Sequence, residues 1–262
     1  MSAGSLNQFA GQDSYRRRHV DETTHPDRVI KINNAQNVRD LGGYTTNDGR
    51  QTRWGSLVRS GDMDQLTKAD QDFLIDYGIN TVIDLRMKWE IADAPNVFSR
   101  SQRVNFVMHD FWGDRFDDYR SKRKKVAPEV KLSDLYCSGL IESGFIMADI
   151  MRTIADSLNN GFAFQCRSGK DRTGMVAAIL LAVAGVPNDV ICADYALTAS
   201  LVETDKNVDP KQPGMYLKGC SPQTMALTLE FLAGRFSSIP GYLLHLGVTE
   251  AQIDRIRDKI LD

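Results

Sequence analysis

The chain has 262 residues, of which 42% are hydrophobic and 25% charged, with a formal net charge of -2. That is the composition of a globular protein of one large or two small domains, and the near-zero charge excludes a bulk electrostatic drive toward nucleic acid or an anionic membrane. The first residues lack the apolar core of a secretion signal, and the longest apolar run, Met175 to Val186, is too short to cross a bilayer.

Residues 1 to about 27 are polar and aperiodic and read as a loose or docked arm; 28–262 read as a single domain. "RVIKI", 28–32, is strand-like and enters the turn-rich "NNAQNVRDLGGY". "RWGSLVRSG" predicts a strand and a glycine turn. Thr67 then caps a helix through "KADQDFLIDY", with Asp70 at its third position and Gly78 stopping it. "NTVIDLR" is a short β-branched run of the kind buried in parallel sheets, and "RVNFVMHDF" predicts the next strand. A charged stretch, "DRFDDYRSKRKK", precedes a long helical region within Leu132 to Leu158. Strand "GFAFQC" follows, then a short loop, then a helix from Thr173 to Ala184. Helices are predicted at Pro187–Ser200, Pro222–Phe236 and Thr249–Leu261, the last with a Thr249–Gln252 capping box and a face of Ile253, Ile256 and Ile260. Strands separated by helices imply an α/β fold, a mostly parallel central sheet flanked by helices.

The chemistry concentrates in "CRSGKDRTG", Cys166 to Gly174. A cysteine, five residues and an arginine between a strand and a helix can wrap into a bowl of backbone N–H groups that holds a tetrahedral dianion. Arg167, Ser168, Gly169, Lys170 and Thr173 are the expected phosphate-binding residues, with Arg172 as bidentate clamp. Gly169 and Gly174 permit the tight path. The same field favours Cys166 as thiolate, and Thr173 is placed to donate its hydroxyl to the sulfur. The implied reaction is attack on phosphorus, a phosphocysteine intermediate and hydrolysis, with no metal or cofactor. A nucleotide-type loop fails, because Phe164 and Asp171 stand where that pattern needs glycine and Ser or Thr.

On these residues the chain resembles the cysteine-dependent protein tyrosine phosphatase superfamily. Lys170-Asp171 before the arginine is similar to the bacterial and fungal branch that includes dual-specificity and lipid phosphatases secreted by intracellular pathogens. "NVRDLGGY", "LVRSG", "TVIDLR" with Glu90 and Pro95, "ADYALT" and "YLLHLGVTEAQIDRIRDKIL" extend the likeness over roughly 30–262. The resemblance implies a phosphatase of that fold acting on phosphotyrosine, with phosphoserine, phosphothreonine and phosphoinositides as further substrates. It makes Cys166 the nucleophile, Arg172 the clamp, Asp171 a candidate general acid and Lys170 a phosphoinositide contact. Gln165 stands where the family usually has His, which implies a less favoured thiolate, although an amide can still bond to the loop.

Asp84, at the carboxyl end of "TVID", is the alternative acid; Asp171 is preferred because it lies in the loop itself. Arg39 with Asp40, and Arg86 with Glu90, read as structural ion pairs. Arg120 to Lys125 holds five cations in six residues, ordinarily a solvated face, and its position also suits a lid meeting extra phosphates or a membrane surface. The four cysteines show no CxxC pairing and no clustering with histidine, so neither zinc nor a disulfide framework is expected; Cys192 and Cys220 read as helix-packing thiols. Trp54, Trp89 and Trp112 read as core or rim packing. The expected partners are phosphorylated protein or phosphoinositide, with no nucleic acid, no transmembrane segment and at most peripheral membrane contact. The expected compartment is the cytoplasm, leaderless export remaining open. A catalytically silent phosphate-recognition module and a sulfur-transfer enzyme are the rival classes.

Overall fold

A computed structural model describes residues 22–113, 131–202 and 219–262. Five short strands form its sheet: β1 (Arg39–Asp40), β2 (Leu57–Ser60), β3 (Thr81–Asp84), β4 (Asn105–Met108) and β5 (Phe162–Gln165). Their order is β1-β2-β5-β3-β4, with only β1 antiparallel to its neighbour. The α/β class and mostly parallel sheet are therefore as expected. β5 lies at the centre, and every residue of β2, β3 and β5 is buried. Burial on both faces explains why these runs read as continuously apolar rather than alternating.

Nine α-helices occur among the described residues: α1 (Lys68–Asp76), α2 (Lys88–Asp93), α3 (Leu132–Glu142), α4 (Gly144–Asp156), α5 (Asp171–Ala184), α6 (Asn188–Leu201), α7 (Pro222–Phe236), α8 (Ile239–His245) and α9 (Glu250–Ile260). One sheet face carries Leu57, Ile83, Phe162 and Phe164 into the larger core with α3 to α9. The other carries Val58, Val82 and Ala163 against Leu74 of α1 and Phe98 of the 3-10 turn Val97–Arg100. Successive residues of one strand thus serve opposite cores. α5, buried almost throughout, runs directly from β5 through the larger core.

The predicted Thr67 cap and Thr249 capping box are both formed, and Asp70 closes a capping box at Thr67 as well. Other elements differ from expectation. "RVIKI" makes an isolated bridge, Val29 to Arg39, and no strand. The helical region within Leu132–Leu158 divides at Ser143 into α3 and α4, and Gly144 beside the division lies so close to Leu246 that a Cβ would come within 2.7 Å of its side chain. α5 begins two residues early, at Asp171. The short α2 and α8 carry too few turns for a periodic signal. The segment Arg120–Lys125, with its reading as lid or solvated face, and most of the N-terminal arm lie outside the described residues.

Candidate active site

β5 ends at Gln165, and Cys166 opens the loop to α5 with only 2% of its surface exposed. The loop folds back on β2. Gly169 has φ +66°, and a Cβ there would lie 2.6 Å from the Ser60 carbonyl, so only glycine fits. The loop carbonyls are held from outside. Asp62 N–H donates to Arg167 O at 3.1 Å, and Asn37 Nδ2 donates to Ser168 O at 3.1 Å and Gly169 O at 2.8 Å. Arg59 Nη2 also donates to Gly169 O, at 2.8 Å. Among the described residues the N–H groups of Arg167, Ser168 and Gly169 donate to nothing. Carbonyls pinned outward leave donors facing inward at the N-terminus of α5, an arrangement that binds tetrahedral anions.

Arg172, in the first turn of α5, is 7% exposed. Its guanidinium is held by Glu90 of α2, Nη1 to Oε2 at 2.5 Å and Nη2 to Oε1 at 3.0 Å, and Nη1 also reaches Leu85 O at 3.3 Å. Burial works against the charge on Arg172, but Cys166, Glu90 and Asp171 outweigh it and raise the group above its ordinary value. Burial likewise opposes ionisation of Glu90, and the Arg172 contact reverses that, leaving it lowered. The expected Arg86–Glu90 pair is therefore not formed. Arg86 instead takes Asp84, Nη2 to Oδ2 at 2.8 Å, and Asp62, Nη1 to Oδ1 at 2.5 Å. Arg86 is already filled by Asp84 and Asp62, and Glu90, which also accepts from Met87 N–H, takes Arg172. Asp84 is fully buried, and both its oxygens also bond the Arg86 side chain. Burial, with Asp64, Asp84 and Glu90 nearby, outweighs the Arg86 attraction and pushes Asp62 up to about 6.

Asp171 is half-buried at the mouth of the loop. Tyr136 donates its hydroxyl to Asp171 Oδ1 at 2.7 Å, and the Tyr136 and Tyr195 hydroxyls are 2.8 Å apart. Lys170 Nζ lies 3.6 Å from the same Oδ1. Lys170 is 8% exposed, Arg167 exposed and Ser168 intermediate. Thr173 is fully buried and its hydroxyl has no hydrogen-bond partner, so the expected donation to the Cys166 sulfur is not made. The Gln165 amide, also fully buried, bonds to neither the loop nor anything else. It stands in register between Ser60 and Asp84, on the face opposite Phe164, because strand side chains alternate.

Beneath the loop, Asp194 of α6 joins two arginines from the sheet: Arg39 Nε at 2.9 Å and Arg59 Nη1 at 2.7 Å, all three essentially buried. Tyr44 adds its hydroxyl at 3.0 Å. Burial alone would raise Asp194, but the two guanidinium groups hold it well below the usual carboxylate range. The expected Arg39–Asp40 pair is thus replaced. Neighbours in an extended strand point to opposite sides, and Asp40 accepts from Gly42 N–H, Gly55 N–H and the Tyr77 hydroxyl.

Sequence reasoning brought together Cys166, the loop and Arg172 but missed Asn37, Tyr136, Asp194 and the true partner of Glu90. Asn37 is legible only in hindsight, through φ 60° within a glycine-rich turn. Trp54 covers Gly42 and Gly43, Trp112 covers Gly139, and Trp89 is half exposed on α2. Burial pushes Cys192 up to about 12 and Cys137 up to about 11. Among the described residues no helix is long and apolar enough to cross a membrane.

The model of a tyrosine phosphatase family matches residues 30–262. A tyrosine-protein phosphatase of Nostoc commune is 29% identical over 220 residues, 78% of this chain and 74% of that protein. The triple specificity protein phosphatase PtpB of Mycobacterium tuberculosis is 30% identical over 279 residues, 89% of this chain and 99% of its own length. With a match that spans the sheet, the loop and the terminal helices alike, the chain belongs to the tyrosine phosphatase family.

Proposed function

We propose that the chain hydrolyses phosphate monoesters through a phosphocysteine intermediate on Cys166, with Arg172 clamping the phosphoryl oxygens and Asp171 as general acid. The observation that carries this reading is the loop whose Arg167, Ser168 and Gly169 carbonyls are held from outside, next to a buried cysteine and the Glu90-held Arg172. Donors fixed in advance stabilise charge on a transferring phosphoryl group without reorganisation. Asp84 suits the acid role less well, being wholly engaged with Arg86. Phosphotyrosine is the primary substrate class. Lys170 and Arg167 add cations beyond what one phosphate needs, which supports phosphoinositides as further substrates. The breadth in the name of the mycobacterial relative supports phosphoserine and phosphothreonine too.

Hydrolysis of p-nitrophenyl phosphate by purified protein in EDTA tests the reaction. Cys166→Ser should abolish turnover while the fold is kept, because no base stands by to activate a serine hydroxyl. Binding of inorganic phosphate without turnover by the unaltered chain would instead make it a recognition module. Lys170→Ala should reduce phosphoinositide hydrolysis roughly tenfold more than p-nitrophenyl phosphate hydrolysis. Equal losses would remove the lipid from the substrate range.

A further inference from the structure

We infer that Tyr136 and Tyr195 are positioning residues that decide which oxygen of Asp171 carries the proton given to the leaving group. The inference rests on the reading of Asp171 as general acid. Tyr136 comes from α3 and Tyr195 from α6, their rings edge-on at 6.1 Å and 90°, both essentially buried. A carboxylate only accepts hydrogen bonds, so Tyr136 must donate to Asp171 Oδ1 at 2.7 Å, and Tyr195 must then donate to Tyr136 at 2.8 Å. The chain therefore has one direction. Lys170 Nζ, 3.6 Å away, faces the same Oδ1. Among the described residues Oδ2 has no partner, and the Asp171 side chain keeps 29% exposure. With Oδ1 occupied by donors, the acidic proton belongs on Oδ2.

The step then balances. The Cys166 thiolate forms the S–P bond as the ester P–O bond breaks. The released electron pair goes to the leaving oxygen, which takes the proton from Oδ2. The new carboxylate is held at once by the Tyr136 hydroxyl. In the second half a water oxygen attacks phosphorus, its proton passes to Oδ2, and the S–P pair returns to sulfur. Among the described residues the charged and titratable groups facing Asp171 are Lys170 and Arg172 beside it, Tyr136, Tyr195, and Cys220 ahead of α7. Lys170 and Arg172 remain beside Asp171 in either tyrosine variant.

The test measures kcat against pH for the full chain on phenyl phosphate and p-nitrophenyl phosphate. The poorer phenolate leaving group depends more on the acid. Tyr136→Phe should lower kcat on phenyl phosphate roughly tenfold, with a smaller loss on p-nitrophenyl phosphate and little change in KM. Its basic limb should move to higher pH, because an Asp171 that has lost a donor to its ionised form gives up its proton less readily. Tyr195→Phe should act in the same direction, more weakly. A purely structural role would lower the melting temperature without moving the limb. If Asp171→Asn loses more on phenyl than on p-nitrophenyl phosphate while both tyrosine variants keep the parental limb and ratio, the positioning chain is overturned and the acid stands. If Asp171→Asn shows no leaving-group preference, the acid reading itself fails. Should Tyr136→Phe not fold, an unmoved limb in Tyr195→Phe overturns the inference alone.

Discussion

Glu90 places the Arg172 guanidinium before substrate arrives, through paired bonds of 2.5 and 3.0 Å. Removing it frees a buried cation to follow Cys166 or the Leu85 carbonyl. Glu90→Ala should therefore lower kcat/KM by about 10- to 100-fold, since small misplacements of a positioning group cost that much. Steady-state assays with p-nitrophenyl phosphate check it, and an unchanged kcat/KM would mean that Arg172 orients itself. Cys166, Gly169, Lys170, Asp171 and Arg172 were legible because one loop carries them in a run. The partner of Glu90 was not, because that pairing spans 82 residues and depends on how α2 leaves β3. The same holds for Asn37, which braces the loop from 131 and 132 residues away.

At the scale of elements, Asp194 ties α6 to β1 and β2 by holding Arg39 and Arg59 at once. Each guanidinium would be left buried and uncompensated without it, although Arg39 also bonds the Asn37 side chain. Asp194→Ala should cost about 3–5 kcal/mol, read from the midpoint of urea unfolding. A loss below about 1 kcal/mol would show that the arginines find other partners. Gln165 predicts the reverse. Its amide is buried with both polar atoms unpartnered, so Gln165→Met should be neutral or should stabilise by about 1–3 kcal/mol. Marked destabilisation in the same urea experiment would reveal a bond or bridging water serving that amide. Strands and helices with their own capping or burial signals, such as α1, β3 and α9, were legible. The division at Ser143 was not; Gly144 beside it packs against Leu246, about a hundred residues on.

For the molecule as a whole, a parallel sheet with β5 at its centre brings the carboxyl ends of β2, β3 and β5 together, which is where α/β folds bind ligands. That gathers carboxylates as well as cations. Asp62 is raised from 3.8 to about 6 by burial first and by its acidic neighbours. The folded form then holds this proton more tightly than the unfolded chain. Its contribution is fully present below 3.8 and is lost as pH rises through about 6. Asp194, lowered in the folded state, acts oppositely, its contribution being lost on acidification. Asp62→Asn should flatten the fall in urea midpoint between about pH 4 and 7, and an unaltered profile would assign that slope to other groups.

In the proposed reaction Cys166 carries the phosphoryl group between two displacements at phosphorus. Acid quench of the full chain during turnover of saturating p-nitrophenyl phosphate, followed by peptide mapping, reads this directly. Phosphate should appear on the peptide containing Cys166, formed on the timescale of p-nitrophenolate release and absent from Cys166→Ser. Phosphate on another residue, or full turnover by the Cys166→Ser chain, would contradict it.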